Sequence, residues 1–110
     1  MAHTVTAEQH ELPAVQPVGT LQQVLAALAD PVRLEMVRRL ADGGDEPIAC
    51  ARLYDGINKS TASHHFKILR EAGLTERVMI GGQIHQRLCA REVEDALPGV
   101  LTSVIAAAHG

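Results

Sequence analysis

The chain has 110 residues, of which 46% are apolar and only 2% aromatic, with no Trp; this is one small domain whose core must be built from Leu, Val, Ile and Ala, which favours helices. Two cysteines are too few for a disulfide scaffold and fit a reducing cytoplasm, no basic run followed by an apolar stretch marks a signal peptide, and no apolar run approaches the ~18 residues of a membrane span. The net charge of -3 argues against nucleic acid as a whole, but residues 59–91 carry six cations against two acids and lie between two acidic ends, which fits a DNA-facing part and a partner-facing part.

Residues 1–17 show no steady periodicity and contain Pro13 and Pro17, so they read as a flexible N-terminal arm before a single folded domain over 18–110. Leu21, Val24, Leu25 and Leu28 recur at helical spacing and predict a first helix over 19–29. Asp30-Pro31 supplies an N-cap followed by Pro at the first helical position. Val32, Leu34, Val37 and Leu40 then carry a second helix to about Ala41, where Asp42-Gly43-Gly44 stops it. Pro47-Ile48 leads into a short third helix over Ala49–Tyr54, and Asp55-Gly56 is a turn. Asn58 caps a fourth helix that ends at Gly73, and the short connection before it is what a helix-turn-helix needs. Two β-prone runs, Thr75–Ile80 and Gln83–Cys89, flank Gly81-Gly82 and predict a hairpin in the position of a wing. A turn of helix near Arg91–Ala96, a break at Pro98-Gly99 and a last helix over Val100–Ala108 complete the chain. The fold class is mainly α with a β-hairpin wing, a winged helix-turn-helix.

The helix at 58–73 carries the functional argument. Ala62, Phe66, Leu69 and Gly73 fall on one face and turn it to the core, while Lys59, Ser60, Ser63, His64 and Lys67 fall largely on the other. Hydroxyls such as those of Ser60, Thr61 and Ser63 can bond base edges or phosphates, and Lys59 and Lys67 can reach phosphates on either side of a major groove. Arg70 follows on the same helix, and Arg77 and Arg87 lie on the wing strands.

The run Ser-Thr-Ala-Ser-His-His-Phe-Lys-Ile-Leu-Arg-Glu-Ala-Gly-Leu at residues 60–74 closely resembles the recognition helix of the ArsR/SmtB family of bacterial repressors. Leu28-Ala29-Asp30-Pro31-Val32-Arg33-Leu34 looks like that family's second-helix start, and Gly81-Gly82 sits where the family has its wing. The resemblance covers roughly residues 20–108. It implies a homodimer that binds an imperfect palindrome in double-stranded promoter DNA, one recognition helix per half-site. It also implies a dimer seam from the first and last helices, here Leu21, Val24, Leu25 and Leu28 with Val100, Leu101, Val104 and Ile105.

Members of that family commonly sense metals, and here the usual ligand sets are missing. The third-helix region has one thiol, Cys50, and no second one nearby, which disfavours a thiolate site. The last helix lacks the paired histidines of a seam site. What is left is the arm: with Met1 removed before Ala2, the α-amine, the His3 amide nitrogen and the His3 imidazole can chelate a cation, with Glu8, His10 and His109 to complete the set. Such nitrogen-rich coordination suits Ni(II) or Cu(II), and the start is similar to that of some nickel and cobalt sensors of the family. The other reading is a winged-helix regulator without a metal effector, modulated by a partner protein. An enzyme is not expected: there is no glycine-rich phosphate loop, no Ser-His-Asp candidate and no His-Glu-x-x-His.

Overall fold

The structure is a computed structural model that describes residues 17–109. Helix α1 spans Leu21–Leu28 and α2 spans Pro31–Asp42. Strand β1 (Ile48–Ala49) runs directly into a single 3-10 turn, Cys50–Arg52. Helix α3 covers Lys59–Glu71, β2 Thr75–Ile80 and β3 Gln83–Leu88, followed by α4 (Ala90–Ala96) and α5 (Val100–His109).

Helices α1, α2 and α3 each start where a side chain takes over free N–H groups. At α1 the Thr20 hydroxyl accepts from the Gln23 N–H while Gln23 Oε1 accepts from the Thr20 N–H, both at 3.2 Å. This reciprocal box places the start at Leu21, two residues later than periodicity predicts. Asp30 Oδ2 accepts from the backbone N–H groups of Val32 and Arg33 at 2.9 and 3.1 Å, with Pro31 in the first turn of α2. Asn58 Oδ1 accepts from the Thr61 N–H at 2.8 Å and opens α3.

The predicted third helix over Ala49–Tyr54 does not form. Its first residue belongs to β1, which pairs antiparallel with β3 through Ile48 opposite Gln86 and Ala49 opposite His85. Pro47 holds the approach extended, and the sheet then claims the backbone groups that a helix would have used. Only one 3-10 turn is left before the connection to α3.

The sheet order is β1-β3-β2, and the β2–β3 hairpin closes through Gly81 and Gly82, with φ of 57° and 80°. Positive φ at both central residues is what a tight hairpin turn requires and what only glycine adopts freely. Beneath the sheet and among the helices lies one core, with Val24, Met36, Val37, Leu40, Leu53, Leu69, Leu74 and Val93 essentially without solvent contact. Tyr54 meets Phe66 edge-on, ring centroids 6.1 Å apart, and so seats the 3-10 segment on α3. No helix among the described residues is long and apolar enough to cross a membrane.

Candidate nucleic-acid interface

Helix α3 is divided as its sequence predicts. Ala62, Phe66 and Leu69 are buried, and Lys59, Ser60, Thr61, Ser63, His64 and Lys67 are all exposed. Lys67 faces Glu71 one turn on, with Nζ 4.0 Å from Oε2 and both side chains about 60% exposed, a loose surface pair that leaves the ammonium free to meet another anion.

Three of the expected cations behave differently. Arg87 on β3 is clasped by Glu76 across the hairpin and by Glu92 at 2.9 Å, and its side chain is 24% exposed. Those two carboxylates raise its pKa against the effect of burial. The guanidinium is thus spent on tying β2, β3 and α4 together and is not offered to a phosphate. Arg77 and Arg70 are half-buried and turn toward a cleft between the wing and α3.

His65, next to His64 on the same helix, points inward. Its side chain is 13% exposed, Nδ1 lies 3.1 Å from Arg33 Nη1 and 3.8 Å from Asp30 Oδ2. Arg33 in turn donates through Nε to the Ala27 carbonyl at 2.7 Å and through Nη2 to Ala26 at 3.4 Å. The Arg33 guanidinium thus joins carbonyls at the end of α1 to His65 on the inner edge of α3, with Asp30, the cap of α2, beside that histidine. Asp30 is pushed up by burial but held lower on balance by the Arg33 and Val32 N–H groups and the charges of His65 and Arg33. This network was missed in the sequence; the available signal was that His65 is three residues after Ala62 and four before Leu69, hence on the apolar side.

A second clamp fixes the connection before α3. Arg39 bonds Glu35 at 2.8 Å, the Arg52 carbonyl at 3.2 Å and Asp55 at 2.7 Å. The helix-turn-helix corner is thereby anchored to α2, and α3 stands out from the body with its polar face clear.

Residues 28–78 match a family model described as a helix-turn-helix domain. The structure resembles the crystal structure of the transcriptional repressor BigR from Xylella fastidiosa, with a TM-score of 0.61 over 97% of this chain and 96% of that one at 22% identity. It also resembles an ArsR-like transcriptional regulator from Rhodococcus sp. RHA1, with a TM-score of 0.57 over 80% of this chain and 88% of that one at 23% identity. The chain has the winged-helix fold of these two structures. In sequence, an uncharacterized HTH-type transcriptional regulator of Bacillus subtilis (strain 168), YceK, is 47% identical over 55 residues. That match takes in 48% of this chain and 54% of YceK, so it spans about half of each. All three are described as transcriptional regulators or repressors.

Within this fold the stripes expected at a dimer seam divide in three. Val24, Leu28 and Leu101 are 0%, 4% and 2% exposed in the single chain and belong to its own core. Leu21 and Leu25 are 41% and 44% exposed on the outer side of α1. Val100, Val104 and Ile105 are half-buried.

The metal reading rests on His3, His10 and His109. His3 and His10 lie outside the described residues. His109 is engaged at both ring nitrogens, Nδ1 at 2.9 Å from the Ile105 carbonyl and Nε2 at 2.9 Å from Asp42 Oδ1. Two acceptors call for two ring N–H donors, so the imidazolium is favoured, and the Ile105 carbonyl and then Asp42 raise its pKa. A ring engaged at both nitrogens in this way is not a ready ligand. No group of three or more His, Cys, Asp or Glu among the described residues converges as a metal site. Cys89 is buried, which pushes its thiol up to about 11, as expected of a structural rather than a reactive cysteine.

Proposed function

We propose that the chain is a sequence-specific DNA-binding transcriptional regulator that docks α3 in the major groove of an imperfect promoter palindrome as a homodimer. The observation that carries this reading is the outer face of α3: six exposed hydroxyl, imidazole and ammonium groups from Lys59 to Lys67 on a helix braced from behind by the Arg33 and Arg39 clamps. Ser63 and His64 sit centrally on that face and are assigned to base readout, Lys59 and Lys67 to phosphates on either side. With Arg87 committed to Glu76 and Glu92, the phosphate contacts fall to α3 rather than to the wing.

The test is a gel shift on the chain's own promoter region at fixed salt. The Ser63→Ala/His64→Ala double variant is expected to lose specific binding while its circular dichroism spectrum stays unchanged; Lys67→Ala is expected to weaken binding to all sequences and to lower the salt slope by about one unit. Undiminished specific binding by the double variant would overturn the assignment.

Nickel responsiveness is the second part of the proposal, and it rests on the N-terminal nitrogen set alone: the α-amine exposed by loss of Met1, His3 and His10. Titration calorimetry of the native N-terminus with Ni(II) is expected to show a Kd below roughly 10 μM, about -7 kcal/mol, lost in His3→Ala and kept in His109→Ala. Absence of binding at that level would leave the rival reading, a regulator governed by a partner protein, as the one to pursue.

A further inference from the structure

Between α3, the 3-10 turn and the wing lies a cleft of about 540 Å³, within the usual size of small-molecule sites. Arg70 enters it from α3 and Arg77 from β2, and no Asp or Glu is among the described residues that line it. Phe66 and Ile84 give it apolar walls. Part of its lining is Gln86, which is 1% exposed and stands directly opposite Arg77 across the hairpin. Gln86 Nε2 lies 3.6 Å from Cys50 Sγ, but its Oε1 accepts from no described residue, and the buried Nε of Arg77 donates to none.

An acceptor and a donor left unmade in a buried setting each cost about 1–3 kcal/mol. They belong to paired residues on neighbouring strands, both lining a cationic cleft, and together suit an incoming group that brings both an acceptor and a donor. Burial, and then the nearby Arg77 charge, pull the Arg70 guanidinium below its usual range, with Glu71 and Cys50 acting the other way. An anion between the two guanidiniums would relieve that repulsion and can be gripped by both.

We propose that this cleft binds a small organic carboxylate carrying an O–H or N–H donor, its carboxylate between Arg70 and Arg77, its donor on Gln86 Oε1 and its apolar body against Phe66 and Ile84. Ser63 and Arg70 of α3 line the same cleft, so an occupant alters the helix offered to DNA. That consequence rests on the DNA-binding reading; the site itself does not. A phosphate of the DNA backbone is the rival occupant for the two arginines, but it brings neither an apolar body nor a donor.

The experiment is an NMR titration of the ¹⁵N-labelled full chain without DNA, so that its outcome is independent of operator binding. The probes are salicylate, which combines carboxylate, hydroxyl donor and ring, benzyl alcohol, which lacks the charge, and inorganic phosphate, which lacks the ring. Salicylate is expected to move the Gln86 side-chain amide and the Cys50 and Ile84 backbone amides saturably, with a Kd of about 1 mM or tighter. The two controls should bind at least about tenfold more weakly. Ala51→Phe, which fills the cleft from an exposed position of the 3-10 turn, and Gln86→Leu should each weaken salicylate by about tenfold, with the dispersion of the spectrum reporting an intact fold. No saturable response to salicylate, an equal response to either control, or undiminished binding by well-dispersed Ala51→Phe would overturn the proposal.

Discussion

Glu35 is the residue on which α2 is tied together. Its carboxylate takes Arg38 at 2.7 Å and Arg39 at 2.8 Å, and hydrogen bonds from Arg38 and then Arg39 bring its pKa from 4.5 to about 2. A folded-state pKa below the unfolded one stabilises the protein above the unfolded value and is lost as pH falls through the folded one. Glu35→Gln is therefore expected to lower the melting temperature at pH 7, and the gap to the parent chain should close between about pH 4.5 and pH 2. A gap that stays constant across that range, followed by thermal circular dichroism, would show that the ion pairs do not contribute. Because the carboxylate is 39% exposed, the effect is a modest one. At this scale the sequence showed the cations but not their partners. Arg87 is equidistant in kind from a phosphate contact and a structural clasp until the hairpin register brings Glu76 opposite it, and a register is a long-range property that no local pattern of residues reveals.

Among the elements, α3 has both ends prescribed by single residues, and both were legible: Asn58 as a cap and Gly73 as a stop. Gly73 does more than end a helix. Its φ is 79°, and a Cβ there would sit 2.5 Å from the Pro17 carbonyl oxygen and 2.6 Å from Val18 Cα. Gly73→Ala combines a left-handed backbone with a clash against main chain, so it is expected to destabilise the fold by about 1–3 kcal/mol, measured by urea denaturation; an unchanged midpoint would mean that the 17–18 segment does not rest there in solution. The segment before α3 was not legible in the same way. Ala49–Tyr54 has helical composition, and what overrides it is pairing of Ile48 and Ala49 with Gln86 and His85, 38 and 36 residues further on in the chain. Element type follows local chemistry well where caps speak for it, and poorly where a two-residue strand borrows its identity from a distant neighbour.

For the whole molecule the question is what covers α1. Its inner stripe of Val24, Ala27 and Leu28 is consumed by the core, while Leu21 and Leu25 show 41% and 44% of their surfaces to solvent. This stripe cannot be divided from sequence alone, because four leucine and valine positions at helical spacing look alike until packing buries some and not others. In the homodimer proposed above, Leu21 and Leu25 are the seam residues on α1. Leu21→Glu/Leu25→Glu is expected to shift the chain from dimer to monomer in sedimentation equilibrium without loss of helical signal, since neither side chain supports the core. A double variant that sediments as a dimer would place the seam elsewhere.

The contact at Gly73 also has a mechanical side. The Gly19 N–H donates to the Ala72 carbonyl at 3.0 Å, so the segment leading into the fold is fastened to the last turn of α3 and crosses directly over its terminal glycine. Pro17 thus enters the fold at the C-terminal end of α3, the helix proposed for the groove, and not at a remote corner. A displacement of the 17–19 segment is therefore passed first to α3, making that junction a short lever on the helix proposed above to read DNA.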